Sequence, residues 1–258
     1  MHQSETIILA LGPAAAGPGR EPLREALAST LMTSLGHAVE VRAHETYSDL
    51  AESIDEAHFA WLPPAVFVRL RNSLSIVAAV QRGDGASYHG ILFGNAPLAL
   101  EEVRGRHIAW VHPDSSSGHL FVRLLLREAG FSASDLGSEV WYGSHEAVVN
   151  AVASGKADIG ATFGRCDASG AVVHAGWHET SAPEMHVIGV SKPIPSDVFA
   201  ATTHHRFGPA MLAALQNLAH DGAGQGMLKA IFGSHHFVEV PPTTYDVVRD
   251  ALASILEL

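Results

Sequence analysis

The sequence predicts an α/β protein of two lobes: two mainly parallel sheets with helices on both faces, joined by two crossover segments. Three observations predict it. Short apolar strands alternate with helical stretches over residues 6–80 and again over 98–161, the pattern of helix-covered sheets. Two extended stretches, 88–94 and 185–190, interrupt that alternation. A length of 258 residues is also near the size at which one core divides into two. A single doubly wound sheet is the competing architecture.

The elements follow in order. Thr6–Leu11 reads as the first strand. The Gly-, Pro- and Ala-rich loop 12–19 matches neither GxGxxG nor GxxxxGK[ST], so it is not read as a nucleotide loop. Glu21–Leu35 is a helix with Pro22 in its first turn and Gly36 at a left-handed cap position. Residues 38–43 alternate as a strand, and Thr46 or Ser48 caps a helix running toward Ala57. Strand Phe59–Leu62 is closed by Pro63-Pro64, and helix Ala65–Arg71 and strand Ser75–Val80 complete the first series. After the extended Tyr88–Gly94 comes a second series: helix 98–103, strand 107–111, helix 117–129, strand 138–142, helix 145–154 and strand 157–161. Extended Met185–Val190 leads through Pro193 and Pro195 to strand Val198–Thr202, helices 208–219 and 223–231, and a last helix over 243–258 capped by Thr243 or Thr244. The expected boundaries are 1–92 for the first part of lobe 1, 93–190 for an inserted lobe 2, and 191–258 for the return to lobe 1. Two crossings make a hinge, and a ligand is expected in the cleft between the lobes.

Composition narrows the function classes. Asp and Glu number 27 against 16 Lys and Arg, a net charge of −11, which argues against a non-specific grip on nucleic acid without bearing on a small local pocket. Cys166 is the one cysteine, so neither an internal disulfide nor a cysteine-based metal cluster can form. The 17 histidines are dispersed without an HExxH pattern, and His204-His205 and His235-His236 read as surface pairs. No metal, cofactor or catalytic residue is assigned. No Lys or Arg precedes Ile7, the apolar run Ile7–Leu11 is short for a signal sequence, and no apolar stretch reaches membrane-spanning length. The expected compartment is periplasmic or otherwise extracytoplasmic if a leader was trimmed, and cytoplasmic if Met1 is the native start. A monomer is expected.

Candidate binding residues cluster where strands hand over to helices. In Asp114-Ser115-Ser116-Ser117-Gly118, three hydroxyls meet the first turn of a helix. Its amides lack intrahelical partners and its dipole favours negative charge, so the segment can surround an oxyanion without Lys or Arg. A plain N-cap needs only one of those serines. Tyr142-Gly143-Ser144-His145-Glu146 occupies the corresponding place after the next strand, with Ser144 as cap and His145 as donor. Parallel strands open such loops on a common edge. Thr162 ends the following strand near that edge. Tyr47 and Tyr88 are further donors, Trp61 belongs to the core or a cleft wall, and Asp158 holds a loop. Arg165 pairs with Asp167 or solvent, or reaches an anion. A Ser116–His145 pair is a conceivable nucleophile and base, but no carboxylate is evident to orient it.

Trp61-Leu62-Pro63-Pro64, Tyr88-His89-Gly90, Leu100–Ile108, Asp114-Ser115-Ser116-Ser117-Gly118, Gly143-Ser144-His145, Lys156–Thr162 and Ile194-Pro195-Ser196-Asp197 occur in that order. As an ordered set covering nearly the whole chain, they resemble the phosphate/phosphite/phosphonate substrate-binding proteins of ABC transporters. The resemblance implies the type II periplasmic-binding fold and an ABC permease as partner. It implies that Ser115, Ser116 and Ser117 hold phosphate or phosphonate oxygens, with His145, Tyr88 and Tyr47 completing the shell. Family members that take aminoalkylphosphonates place acids near the ligand amine. Arg165 stands near one such place and Asp197 is a candidate for another, so phosphate, phosphite or methylphosphonate is at least as good an expectation. A cytoplasmic sensor or an enzyme on the same fold is the alternative.

Overall fold

The computed structural model describes residues 5–17, 19–82, 85, 87–202 and 206–256; the pair His204-His205 lies outside them. In chain order its elements are β1 Ile7–Leu11, α1 Glu21–Leu35, β2 Val39–Ala43, α2 Tyr47–Glu52, β3 Phe59–Leu62, α3 Pro64–Leu70, β4 Leu74–Gln81, β5 Ser87–Gly94, β6 His107–Trp110, α4 Phe121–Glu128, β7 Ser138–Trp141, α5 His145–Ala153, β8 Ile159–Cys166, β9 Val172–Ala175, β10 His186–Val190, β11 Ile194–Pro195, β12 Val198–Thr202, α6 Gly208–Leu218, α7 Gly222–Phe232, β13 His236–Val238 and α8 Asp246–Leu256. Two compact units result: the described residues of Met1–Ala86 and Ser196–Tyr245, and those of Ser87–Pro195 and Asp246–Leu258.

The first unit is a sheet of order β13-β4-β12-β3-β1-β2. β1 pairs parallel with β2 and β3, as chain segments returned by helices do, while β12 runs antiparallel to β3 and β4. Its core gathers Leu9, Leu11, Phe59, Trp61, Phe199, Phe232 and Phe237 with Leu27 and Leu31 of α1 and Leu215 of α6. Burial of each such large side chain contributes about 1.5–3 kcal/mol. Phe232 stands edge-on to both Trp61 and Phe237, at 5.1 and 5.5 Å, the geometry aromatic quadrupoles favour. Two sequence signals act as expected. Thr46 Oγ1 accepts from the Asp49 amide at 3.0 Å and starts α2. Gly36, at φ +67°, ends α1 in the left-handed conformation that a side chain resists. Pro64 opens α3, where its missing N–H costs no hydrogen bond, rather than closing β3.

The second unit is a sheet of order β10-β5-β8-β6-β7, with β11 beside β5 and β9 beside β8. β6 pairs parallel with β7 and β8, whereas β5 is antiparallel to β8, β10 and β11. Both sheets are therefore mixed rather than mainly parallel. Strands that arrive through a short link, with no helical crossover, have nothing to carry them back parallel. The unit begins at Ser87 because the whole of β5 is paired within this sheet. It also includes α8, which the sequence reading left with the first lobe: the Arg127 guanidinium of α4 donates to the Ser254 carbonyl, and Val248, Ala251 and Leu252 are buried. Residues 100–103 form a single 3-10 turn instead of a helix over 98–103.

Candidate functional site

Because β6, β7 and β8 are parallel, the loops that leave their carboxyl ends open at one edge of the second unit. Backbone bonds tie these loops together. The Gly143 amide donates to the Val111 carbonyl at 2.8 Å, and the Val111 amide donates to the Gly118 carbonyl at 3.2 Å. The loop after β7 and the serine loop after β6 are thereby held side by side.

Ser115 is the helix cap: its Oγ accepts from the Gly118 amide at 3.0 Å. The first turn, Ser116–Leu120, winds as a wider π-turn, closed by Leu120 N–H on the Ser115 carbonyl at 3.0 Å, before α4 proper begins. Flanking histidines brace the loop. His112 Nδ1 accepts from the Asp114 amide at 3.1 Å, and His119 Nδ1 lies 3.0 Å from the Pro113 carbonyl, to which it can donate. Gly118 has no alternative here, since a Cβ would lie 2.3 Å from Val111 Cγ2. Ser115, Ser116 and Ser117 are 2, 2 and 3% exposed. The Ser117 hydroxyl makes no hydrogen bond to the described residues and is not sealed from solvent. A buried hydroxyl in that condition is an uncommitted donor.

Ser144 caps α5, its Oγ accepting from the Ala147 amide at 3.1 Å, and Gly143 supplies the positive φ that turns the chain into it. Ser144 itself is exposed. His145 follows as the first helical residue. Its ring is half-buried, with Nδ1 3.1 Å from the Thr162 hydroxyl and Phe163 edge-on at 5.1 Å. Burial pushes its pKa down from 6.5 to about 4, so the imidazole is neutral at pH 7. Thr162 lies within β8, paired with Ile91 of β5, and is fully buried.

The remaining sequence candidates are placed as follows. Tyr88, on β5 opposite Ile194 of β11, is half-buried in the second unit. Tyr47 and Trp61 belong to the first unit. Tyr47 is the first residue of α2, and Trp61 lies in the core with its Nε1 buried and unpaired among the described residues. Asp158 holds its loop as expected, accepting from the His107 amide at 2.8 Å. Asp167 is engaged by the Ser169 amide and hydroxyl and the Ala171 amide, and Arg165 lies on β8 opposite His174. The Asp197 carboxylate is 2.7 Å from Arg82 in the first unit, and Arg82 also donates to the Phe232 carbonyl at 2.9 Å. Two glycines have a packing role that the sequence does not assign them. Gly90 abuts the serine loop, where a Cβ would lie 2.9 Å from the Ser117 carbonyl, and Gly176 abuts Thr162. Nothing in a sequence marks a glycine as present for a neighbour's sake. Among the described residues no group of three or more His, Cys, Asp or Glu is placed to hold a metal ion, and no helix is long and apolar enough to cross a membrane.

Residues 19–245 match the family model described as ABC transporter, phosphonate, periplasmic substrate-binding protein. PhnD1 from Prochlorococcus marinus, in complex with methylphosphonate, is similar at a TM-score of 0.81 with 15% identity, covering 98% of this chain and 99% of that one. A binding-protein component of an ABC phosphonate transporter from Pseudomonas aeruginosa gives 0.80 with 14% identity over 96% of this chain and 85% of that one. XAC2383 from Xanthomonas citri, bound to ATP, gives 0.74 with 17% identity over 98% of both chains.

Proposed function

Because the chain belongs to the family of phosphonate ABC-transporter periplasmic substrate-binding proteins, we propose that it is a solute receptor for a small phosphorus oxyanion: phosphate, phosphite or an alkylphosphonate. The serine loop of the second unit is its anion-holding element. One observation carries the reading: three consecutive buried serines open a helix, yet only Ser115 is consumed as the cap and the Ser117 hydroxyl has no partner among the described residues. The helix start adds amide donors and a favourable dipole. His145 adds an uncharged donor beside Thr162 and next to Ser144, and Tyr88 of β5 is a further donor of the same unit. The protein acts as a binder and not an enzyme. His145 Nδ1 meets the Thr162 hydroxyl, where a catalytic histidine would have an orienting carboxylate. Delivery to an ABC permease outside the cytoplasm is the role that fits such a receptor.

Calorimetry on protein freed of ligand by unfolding and refolding tests the proposal, with phosphate, phosphite, methylphosphonate, 2-aminoethylphosphonate, sulfate and ATP as titrants. Micromolar or tighter binding of one phosphorus oxyanion, with sulfate weak, is expected. That binding should weaken by about 5- to 150-fold in Ser117→Ala, the effect of removing one buried donor. Folded protein that binds none of the six overturns the reading.

A further inference from the structure

Thr162 has 0% exposure, and its hydroxyl has one hydrogen-bond partner among the described residues, His145 Nδ1 at 3.1 Å. Gly176 packs against the hydroxyl so closely that a Cβ there would fall 2.2 Å from Thr162 Oγ1. The φ of Gly176 lies outside the left-handed region, so the glycine is required for room and not for backbone freedom. A neutral imidazole has one donor and one acceptor nitrogen. If Nδ1 carried the hydrogen and donated to Thr162, the threonine's own hydrogen would be buried with no acceptor. If the hydroxyl donates to Nδ1, every group at the contact is satisfied.

We infer that Thr162 is a positioning residue that fixes His145 as the Nε2–H tautomer, making the imidazole a directed, uncharged donor to a ligand oxygen. Nε2 is the nitrogen left for that purpose: it has no partner among the described residues and is not sealed from solvent. The opposite tautomer would turn a lone pair toward an anion and repel it. Phe163, at an interplanar angle of 82° to the ring, restrains its plane. Thr162 therefore acts through His145 and need not touch the ligand. The tautomer assignment stands on the protein alone; its use in binding rests on the function proposed above.

The experiment measures the two ring-nitrogen shifts of His145 by NMR in ligand-free protein at neutral pH, alongside methylphosphonate calorimetry. Wild type, Thr162→Val and Thr162→Ser are compared, with circular dichroism and thermal melts to confirm folding. In wild type, Nδ1 is expected to be unprotonated and hydrogen-bonded and Nε2 protonated. Thr162→Val, of nearly the same shape, should mix the tautomers and weaken binding about tenfold. Thr162→Ser should restore both. A protonated Nδ1 in wild type overturns the inference, as does a Thr162→Val protein with unchanged shifts and unchanged affinity. If the expected shifts are found but wild type binds no phosphorus oxyanion, the tautomer lock is upheld and the proposed ligand class is overturned.

Discussion

Acidification should destabilise the second unit through His145, and the size of the effect follows from its surroundings. The unfolded ring takes a proton near pH 6.5, but in the folded protein burial delays this to about pH 4. Between those values the unfolded state binds more protons, so stability rises with pH. The contribution is complete above about pH 6.5 and is lost as pH falls through the window toward 4. At about 1.36 kcal/mol per pH unit, the separation sets a ceiling of about 3 kcal/mol, and partial exposure of the ring reduces this to about 2 kcal/mol. Urea unfolding followed by tryptophan fluorescence reports mainly this unit, since Trp110, Trp141 and Trp177 lie in it and Trp61 in the other. Wild type and His145→Gln are compared at about pH 7.5 and about pH 4.5, which removes the carboxylate titrations that both share. Wild type should lose about 2 kcal/mol more than the variant on acidification. Equal losses would refute the argument, because they would mean that the ring protonates as readily folded as unfolded.

The other expectations separate structural from binding roles. Ser115→Ala, which removes the cap, should cost about 1 kcal/mol in unfolding free energy, whereas Ser117→Ala should leave the unfolding midpoint nearly unchanged while weakening anion binding. Equal thermal losses in the two would contradict the division of labour within the loop. Gly176→Ala places a methyl 2.2 Å from Thr162 Oγ1 and should destabilise by about 1–3 kcal/mol, with the His145 ring-nitrogen shifts moving as well; a melt matching wild type would count against that close approach. Asp197→Asn removes the carboxylate that stands 2.7 Å from Arg82. With side-chain exposures of 16 and 21%, the pair sits between the exposed and buried limits, so a loss of about 1–2 kcal/mol is expected in denaturant titrations.

Much of the fold is legible because its signals are local. Pro22, Gly36, Thr46 and Ser144 mark helix ends by their own backbone or side-chain chemistry, and the structure uses each at that place. What is not legible is pairing. Period-2 alternation says which face a strand residue occupies, not which strand lies beside it or in which direction. Hence the sequence marks β5 and β12 as strands but not their antiparallel pairing. β13, at three residues, is too short to show a period, and β9 is a short strand held by its pairing with β8. The C-terminal helix was visible, but its docking depends on Arg127 meeting Ser254 across half the chain. Arg82 and Asp197 likewise meet across 115 positions, and no spacing rule links them.

The candidate site shows the same limit in sharper form. The chain carries a net charge of −11, so a long-range field does not draw an anion in. Serine hydroxyls, first-turn amides and a neutral imidazole act over a few ångströms and add no charge, which makes their strength depend on placement. Three glycines set that placement. Gly118 lets the loop close on Val111, Gly90 lets β5 approach the Ser117 carbonyl, and Gly176 makes room for the hydroxyl that orients His145. The serines announce a possible oxyanion site in the sequence because their chemistry is on the side chain. The glycines that aim those donors contribute by what they lack, and only the packed structure shows what each missing Cβ would have struck.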